Sequence, residues 1–464
     1  MRWSVKLVAE VEPGRMTEHE IASFERGDWI TPATLGLSIA EGKRVLAAIQ
    51  ARVVMDHVQR HGQVACRRVA CGRTLSSKGY YTSTFRSVFG NVPMRVRRFN
   101  ACPCRTCGPR TVSALFTRKY PIAPELRYLT AKLAALMPFG KVADFLGEVL
   151  PLSTQPHAST VRNRTLRVGK RLVRSQDARA RPPTDEHVVI GLDGGYVRNR
   201  HPRPERTFEV VAGQIRGADT KATRFAFVRE GSPAGAAAIG QALREHGANQ
   251  DTRITVLSDG DAGLRAIQRA AAPAAAHVLD WFHIAMRWRH VHQLATGLVH
   301  HGESAETSAW LLDRIARAKW ALWNGQLVKA FLHLADLRAW TWTARADPSW
   351  LGQLRTHLCE LTHYLDANAD SLPDYGARYR AGEPISTAFA ESAVNEIVAK
   401  RMIKKQQMRW NRDTVQPFLT VRVAVLNDTL EQAFRSWHAG FRPAEDRSAP
   451  RGLSTPQLCM LSSP

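Results

Sequence analysis

The chain has 464 residues, enough for two or three domains with buried cores, and its 44% hydrophobic and 23% charged residues are those of a soluble globular protein. Lys and Arg number 65 against 41 Asp and Glu, a formal net charge of +24, and a field of that sign favours a polyanionic partner, nucleic acid before any other. A membrane partner is not expected, because no uncharged apolar run approaches the roughly 18 residues of a membrane span.

The first residues, Met1-Arg2-Trp3-Ser4-Val5-Lys6-Leu7, alternate like a strand and lack the apolar core of a signal peptide. A cytoplasmic, nucleoid-associated location is therefore expected. The seven cysteines are odd in number and mostly clustered, which points to reduced thiols or a metal site rather than a disulfide framework.

From Ser38 to about Arg60 the spacing predicts a helix, opened by a Ser38/Glu41 capping box and carrying Leu46, Ile49 and Val53 on one face. Cys66 and Cys71 follow, then two alternating runs, Tyr80 to Phe89 and Val92 to Phe99, with a hairpin signal at Gly90-Asn91. Cys102, Cys104 and Cys107 come directly after. Two groups of thiols at one end of a hairpin is how zinc ribbons surround a tetrahedral Zn²⁺. Five cysteines compete for four places; Cys66, Cys71, Cys104 and Cys107 are the expected ligands, with Cys102 as the alternative to one of them, and a loop with incidental thiols as the alternative to the site. Cys359 and Cys459 stand apart.

Three helices are expected between Glu125 and Arg174, the last capped by Ser159 and bearing Arg162, Arg164, Arg167, Lys170 and Arg171. That layout is a helix-turn-helix whose last helix enters the major groove, or else a solvated basic helix on a helical linker. Past a boundary at 175–185, strands are expected at Val188 to Leu192, Thr207 to Ile215, Ala222 to Val228, Ile254 to Leu257 and Ala276 to Leu279, with helices at Ala234 to His246 and from Leu264. Three strands, a helix, then two strands separated by a helix is the pattern of an RNase H-like α/β sheet. In it the first and fourth strands are parallel neighbours, bringing Asp193 and Asp259 together at strand ends, where ligands of α/β sheets collect.

From Trp281 to about Tyr379 the pattern is helical, and eight of the twelve tryptophans lie there, read as the core of an inserted helical domain, with a base-stacking surface as the alternative. A helix from Ser386 carries Glu391 and runs into Lys400, Arg401, Lys404, Lys405 and Arg409. Two-metal cleavage of a phosphodiester needs carboxylates that clamp a pair of cations about 4 Å apart, and hard oxygen ligands suit Mg²⁺ or Mn²⁺. Asp193, Asp259 and Glu391 are the candidate ligands. Asp261 reads as the cap of the next helix, and Asn395 lies one turn beyond Glu391, able to orient it.

Nearly the whole chain resembles transposases of the ISKra family of insertion sequences, with Mutator-like and ISL-type transposases as wider relatives. The resemblance rests on Leu35-Gly36-Leu37-Ser38, the Cys66/Cys71 and Cys102/Cys104 hairpin, Gly191-Leu192-Asp193-Gly194, Leu257-Ser258-Asp259-Gly260, Asp280-Trp281-Phe282-His283, Phe389-Ala390-Glu391-Ser392, Arg401-Met402 and Met408-Arg409-Trp410. It departs in the Cys66-x4-Cys71 gap, where a closer pair is usual. It implies an RNase H-like transposase with a helical insertion before the glutamate, Asp280 and His283 as a family signature, and cleavage of an element's 3′ ends followed by strand transfer, with DNA and further copies of the chain as partners. A nuclease or resolvase without strand transfer and a transposase-derived DNA-binding regulator are the alternatives. The expected segments are 1–60 (strand and helix), 61–112 (zinc-ribbon-like hairpin), 113–180 (helix-turn-helix-like), 185–300 and 381–440 (the two parts of the RNase H-like core), 301–380 (all-α insertion) and 441–464 (tail). Arg162, Arg164 and Arg167 are expected to read DNA sequence, and Lys400, Arg401, Lys404, Lys405 and Arg409 to hold phosphates.

Overall fold

The computed structural model describes residues 1–29, 31–63, 71–102, 112–113, 121–152, 154–175, 185–201, 205–218, 220–229, 231–402 and 408–443. Cys66, Cys104, Cys107, Lys404 and Lys405 lie outside them. The chain divides into two compact units: Met1–Leu129 with Phe145–Gln155 and Glu431–Pro464, and Thr130–Asp144 with Pro156–Leu430. Among the described residues no helix is long and apolar enough to cross a membrane.

In the first unit, β1 (Arg2–Glu12) and β2 (Arg15–Glu25) form an antiparallel hairpin, of which the sequence reading gives only the first strand. Helix α1 (Ile39–Gln63) starts at its capping box: Ser38 Oγ accepts from the Glu41 N–H at 3.2 Å and Glu41 Oε2 accepts from the Ser38 N–H at 2.9 Å, so two otherwise orphaned donors are satisfied. Strands β3 (Ser77–Ser87) and β4 (Gly90–Phe99) pair as a hairpin, with β5 (Val112–Ser113) beside β4. The reversal is not at Gly90-Asn91. Ser87 pairs with Gly90, so the turn falls on Val88 and Phe89. Ser87 Oγ accepts from the Phe89 N–H at 3.1 Å and donates to Gly90 O at 3.0 Å, a local side-chain bond of the kind that directs turns. Gly90 itself takes φ +117°, open to glycine at little cost. Helices α2 (Pro124–Leu136) and α3 (Phe139–Val149) follow, each divided between the two units.

The second unit is mixed α/β. Strands β6 (His187–Arg198), β7 (Thr207–Arg216) and β8 (Thr223–Val228) precede α5 (Gly231–His246), β9 (Arg253–Ser258), α6 (Ala262–Ala271) and β10 (Ala276–Leu279). The sheet order is β10-β9-β6-β7-β8, antiparallel from β6 to β8 and parallel among β6, β9 and β10. Alternation along β6 sorts the two faces. Val188, Ile190 and Leu192 share a core with Ile239 and Leu243 of α5 and Leu264 and Ile267 of α6. Val189 belongs instead to a second core with Leu257, Leu279 and the following helices.

Those helices are α7 (Trp281–Gly297), α8 (Ala305–Trp323), α9 (Leu327–Thr343), α10 (Pro348–Ala367) and α11 (Tyr375–Arg380). The expected insertion is thus not a separate body: Leu311, Leu334, Leu358 and Leu365 lie in the same apolar cluster as Val189 and Leu257. Trp288 is buried and Trp281 packs edge-on to Trp323 at 4.8 Å, whereas Trp320 and Trp342 are exposed. After them come α12 (Ala388–Val394), a π-helical turn at Asn395–Ala399, α13 (Lys400–Met402) and α14 (Arg412–Leu426), while α15 (Leu430–Trp437) belongs, from Glu431 on, to the first unit.

The two groups of basic residues lie in different surroundings. Helix α4 (Ala158–Ser175) buries Val161, Thr165, Val168 and Leu172, and its main packing partner is α14, with Gly169 against the Pro417 backbone so closely that no side chain fits between. Its apolar stripe belongs to the sheet-bearing unit. Arg162 and Arg164 are half-buried, and Arg167 is exposed. Arg401 cannot hold a phosphate, because it is wholly buried. Its Nε–H donates to Ala134 O at 3.0 Å, and its guanidinium lies 5.0, 5.4 and 4.9 Å from the rings of Phe139, Trp410 and Phe418. Burial, with Arg422 nearby, pushes it down to about 9. Arg401→Ala is expected to destabilise the protein by about 3 kcal/mol, since it removes a buried network and leaves a carbonyl unpaired; equilibrium urea unfolding measures this.

Candidate functional site

The ladder between β6 and β9 ends at Gly191 opposite Leu257. Asp193 and Asp259 each stand two residues beyond that pair, so the parallel register brings them side by side. Asp193 is not at a strand end: β6 runs on, paired with β7, from Asp193 opposite Ala212 to Arg198 opposite Thr207. It is β9 that stops, at Ser258, and its departure opens the edge of β6 beside Asp193. The turn depends on Gly260, whose φ is +80° and where a Cβ would lie 2.7 Å from Leu279 Cδ1; only glycine meets both demands cheaply. Asp259 Oδ1 accepts from the Asp261 N–H at 3.2 Å. Asp261 caps α6, accepting from the Leu264 N–H, and is ion-paired with Arg229, so it is committed to the scaffold.

Asp280 follows β10 as the N-cap of α7 and is fully buried. Its Oδ1 accepts from the Phe282 N–H at 2.8 Å, while Oδ2 lies 2.8 Å from His283 Nδ1 and accepts from the Thr387 hydroxyl. Asp280 thereby sets the imidazole and ties down the residue that begins α12. The His283 pKa is raised, first by the Asp280 hydrogen bond, then by the negative charges of Asp280, Asp259 and Asp193. The Asp193 pKa is raised as well, chiefly by burial and further by Asp259 and Asp280, against the Gly194 N–H and His283, which lower it. Asp193, Asp259, Asp280 and His283 therefore form one electrostatic group.

Two residues of the neighbourhood carry no signal in the sequence. Tyr364 on α10 donates its hydroxyl to Asp259 O at 2.8 Å, and Arg287 of α7 lies 4.2 Å over the Tyr364 ring. Burial and the charge of Asp259 push the Tyr364 phenol up, so it remains a donor. Nothing in helical periodicity distinguishes a tyrosine that reaches across to a strand end from one that fills a core.

Gly191, Asp193 and Gly195 share one face of β6, and α12 lies along it. Gly191 leaves no room for a Cβ beneath Phe389 and Ala390, and a Cβ on Gly195 would stand 3.1 Å from Val394 Cγ1. Gln214 of β7 donates to Phe389 O, and the Trp281 N–H donates to Ile385 O at 3.0 Å. The helix thus crosses over Asp193 between Ala390 and Val394, with Glu391 on its exposed side. The Glu391 carboxylate does not join the aspartate group, and among the described residues no three His, Cys, Asp or Glu side chains stand together at metal-holding distance. Asn395 is exposed in the π-helical turn; such turns recur at functional sites.

Of the thiols, Cys71 and Cys102 are brought together, Sγ to Sγ 3.5 Å, close to the about 3.8 Å that two thiolates on one tetrahedral zinc would have at Zn–S distances near 2.3 Å. Lys400 and Arg409 are exposed. No family model matches the chain, and no curated protein matches it.

Because the folded pKa of Asp193 lies above its unfolded value, ionisation of Asp193 is disfavoured in the folded state. It costs stability at neutral pH, and the cost disappears as pH falls through the folded pKa. Asp193→Asn is expected to raise the Tm by roughly 1–3 °C at pH 7, with the gain shrinking toward pH 4; thermal unfolding across that range checks it.

Proposed function

We propose that the protein is a DNA transposase of RNase H-like fold that cuts and joins phosphodiesters at Asp193, Asp259 and Glu391. The observation that carries the proposal is the pair of carboxylates, Asp193 and Asp259, at the open edge where β9 leaves β6, with the Asp193 pKa raised by burial and by its neighbour. Like charges pressed together are stabilised by a cation, and an all-oxygen donor set suits Mg²⁺ or Mn²⁺. Two such ions would supply charge stabilisation at the attacking and leaving oxygens of the phosphodiester. Asp193 and Asp259 would be their shared ligands, and Glu391, on the helix that crosses Asp193, the third. The strand order β8-β7-β6-β9-β10 also supports the RNase H-like reading.

The protein's own groups have separable tasks. Asp280, buried and fully hydrogen-bonded, orients His283 and raises its pKa beside the aspartates, which favours a positive charge next to their negative ones. Tyr364 fixes the backbone of Asp259. Exposed cations, among them Arg167, Lys400 and Arg409, would hold DNA phosphates, in keeping with the net charge of +24. Assembly of several copies on DNA belongs to the same proposal, as does a structural zinc on Cys71 and Cys102 with thiols from the same cysteine cluster.

Asp193→Asn, Asp259→Asn and Glu391→Gln are each expected to reduce Mg²⁺-dependent cleavage of DNA carrying the element's ends at least a thousandfold, while gel-shift affinity changes less than about threefold, since affinity comes from many phosphate contacts. Cleavage without joining in the unmodified protein would favour the nuclease alternative; full cleavage by any one variant would remove that residue from the site. Metal analysis of the purified protein is expected to give close to one zinc per chain, lost in Cys71→Ser/Cys102→Ser; a zinc-free native protein would leave the thiols without a metal.

A further inference from the structure

A cavity of about 430 Å³ lies between α6, β10 and the segment after α10, lined among others by Arg265, Gln268, Arg269, His277, Asp370 and Ser371. Its polar groups are poorly served by the protein. Ser371 is 2% exposed and its hydroxyl has no hydrogen-bond partner; the Nδ1 of His277 is also buried and unpartnered. Buried polar groups without partners are costly, and two of them belong to residues of one cavity's wall.

The proton inventory fixes what they offer. Gln268 Nε2 can only donate, so it gives its hydrogen to Ser258 Oγ at 2.9 Å. The Ser258 hydroxyl, buried, then has its own hydrogen to donate to His277 Nε2 at 2.9 Å. His277 stays neutral, since burial and then Arg265 and Arg269 push it down to about 4. A neutral ring that accepts at Nε2 carries its hydrogen on Nδ1, so an unused N–H donor is left. Arg265 and Arg269, one turn apart on α6, add positive charge; neither guanidinium makes a hydrogen bond or an ion pair within 4 Å among the described residues. Burial and the charge of Arg269 lower the Arg265 pKa, against Asp370, which raises it. Two arginines against one carboxylate leave a net positive cavity whose free groups are donors.

We propose that this cavity binds a phosphate group, held by Arg265 and Arg269, with the His277 Nδ1–H and the Ser371 hydroxyl in the wall behind them. Arginine pairs match the geometry of phosphate oxygens, and the volume exceeds that of a bare phosphate, leaving space for an attached sugar. Asp370 opposes the charge and sets the affinity. None of the acids assigned to cleavage takes part, so this site stands or falls separately from the proposed activity.

The test is calorimetric titration of the full chain at constant ionic strength, with inorganic phosphate in one arm and an eight-residue thymidylate strand in the other. Saturable phosphate binding is expected, weakened about tenfold or more by Arg269→Gln, weakened also by Arg265→Gln and tightened by Asp370→Asn. All three changes are small and two lie on the surface, and circular dichroism verifies the fold of each. If phosphate competes with the strand and the same variants weaken both, the bound group is a nucleic-acid phosphate; if only phosphate binds, it is that of a small phosphorylated molecule. Absence of saturable phosphate binding, or binding indifferent to Arg269→Gln and Arg265→Gln, overturns the assignment.

Discussion

A carboxylate with no exposed surface is among the more expensive groups a protein can bury, and Asp280 is tolerated because its oxygens meet a backbone N–H, an imidazole and a threonine hydroxyl. The three partners belong to different parts of the chain. Phe282 N–H begins α7, His283 faces the aspartates, and Thr387 begins α12. One buried carboxylate therefore fixes the direction of a helix, the orientation of a histidine and the point from which α12 starts across the sheet. Removing it would release all three together.

The second determinant is a difference in strand length. β6 continues beyond Asp193 while β9 ends at Ser258, so one side of β6 is unpaired where Asp193 stands. The glycines at 191 and 195 let α12 approach that edge, and Asp193 is enclosed between the two contacts. Enclosure raises its pKa; enclosure beside Asp259 raises it further. The cost is local, a raised pKa for Asp193 with Asp259 as one of its causes.

Much of this arrangement is legible in the sequence because it depends on short-range patterns. Strands of the sheet follow from apolar runs such as Val188 to Leu192, the α1 start from Ser38 and Glu41, and the α6 cap from Asp261 directly after Asp259-Gly260. What is not legible depends on partners distant along the chain. Arg401 sits in a basic run and reads as a surface cation, yet a cage of Phe139, Trp410 and Phe418 encloses it. Arg162 and Arg164 lie on a helix whose bed, α14, is some 250 residues away, a separation at which helical periodicity says which face is buried but not against what. Tyr364 and Thr387 act on the site through single bonds that no spacing announces. The hairpin turn moved from Gly90-Asn91 to Val88-Phe89 because the Ser87 side chain, rather than the glycine pair, organises it.

The central claim is that Asp193 and Asp259 are held together as an anionic pair that a divalent cation completes. Titration of Mn²⁺ into the protein, followed by the electron paramagnetic resonance of the free ion, tests this without DNA or turnover. Saturable Mn²⁺ binding that weakens at least tenfold in both Asp193→Asn and Asp259→Asn, and hardly at all in Asp261→Asn, is the expected result. Equal binding by the unmodified protein and the two variants would contradict it.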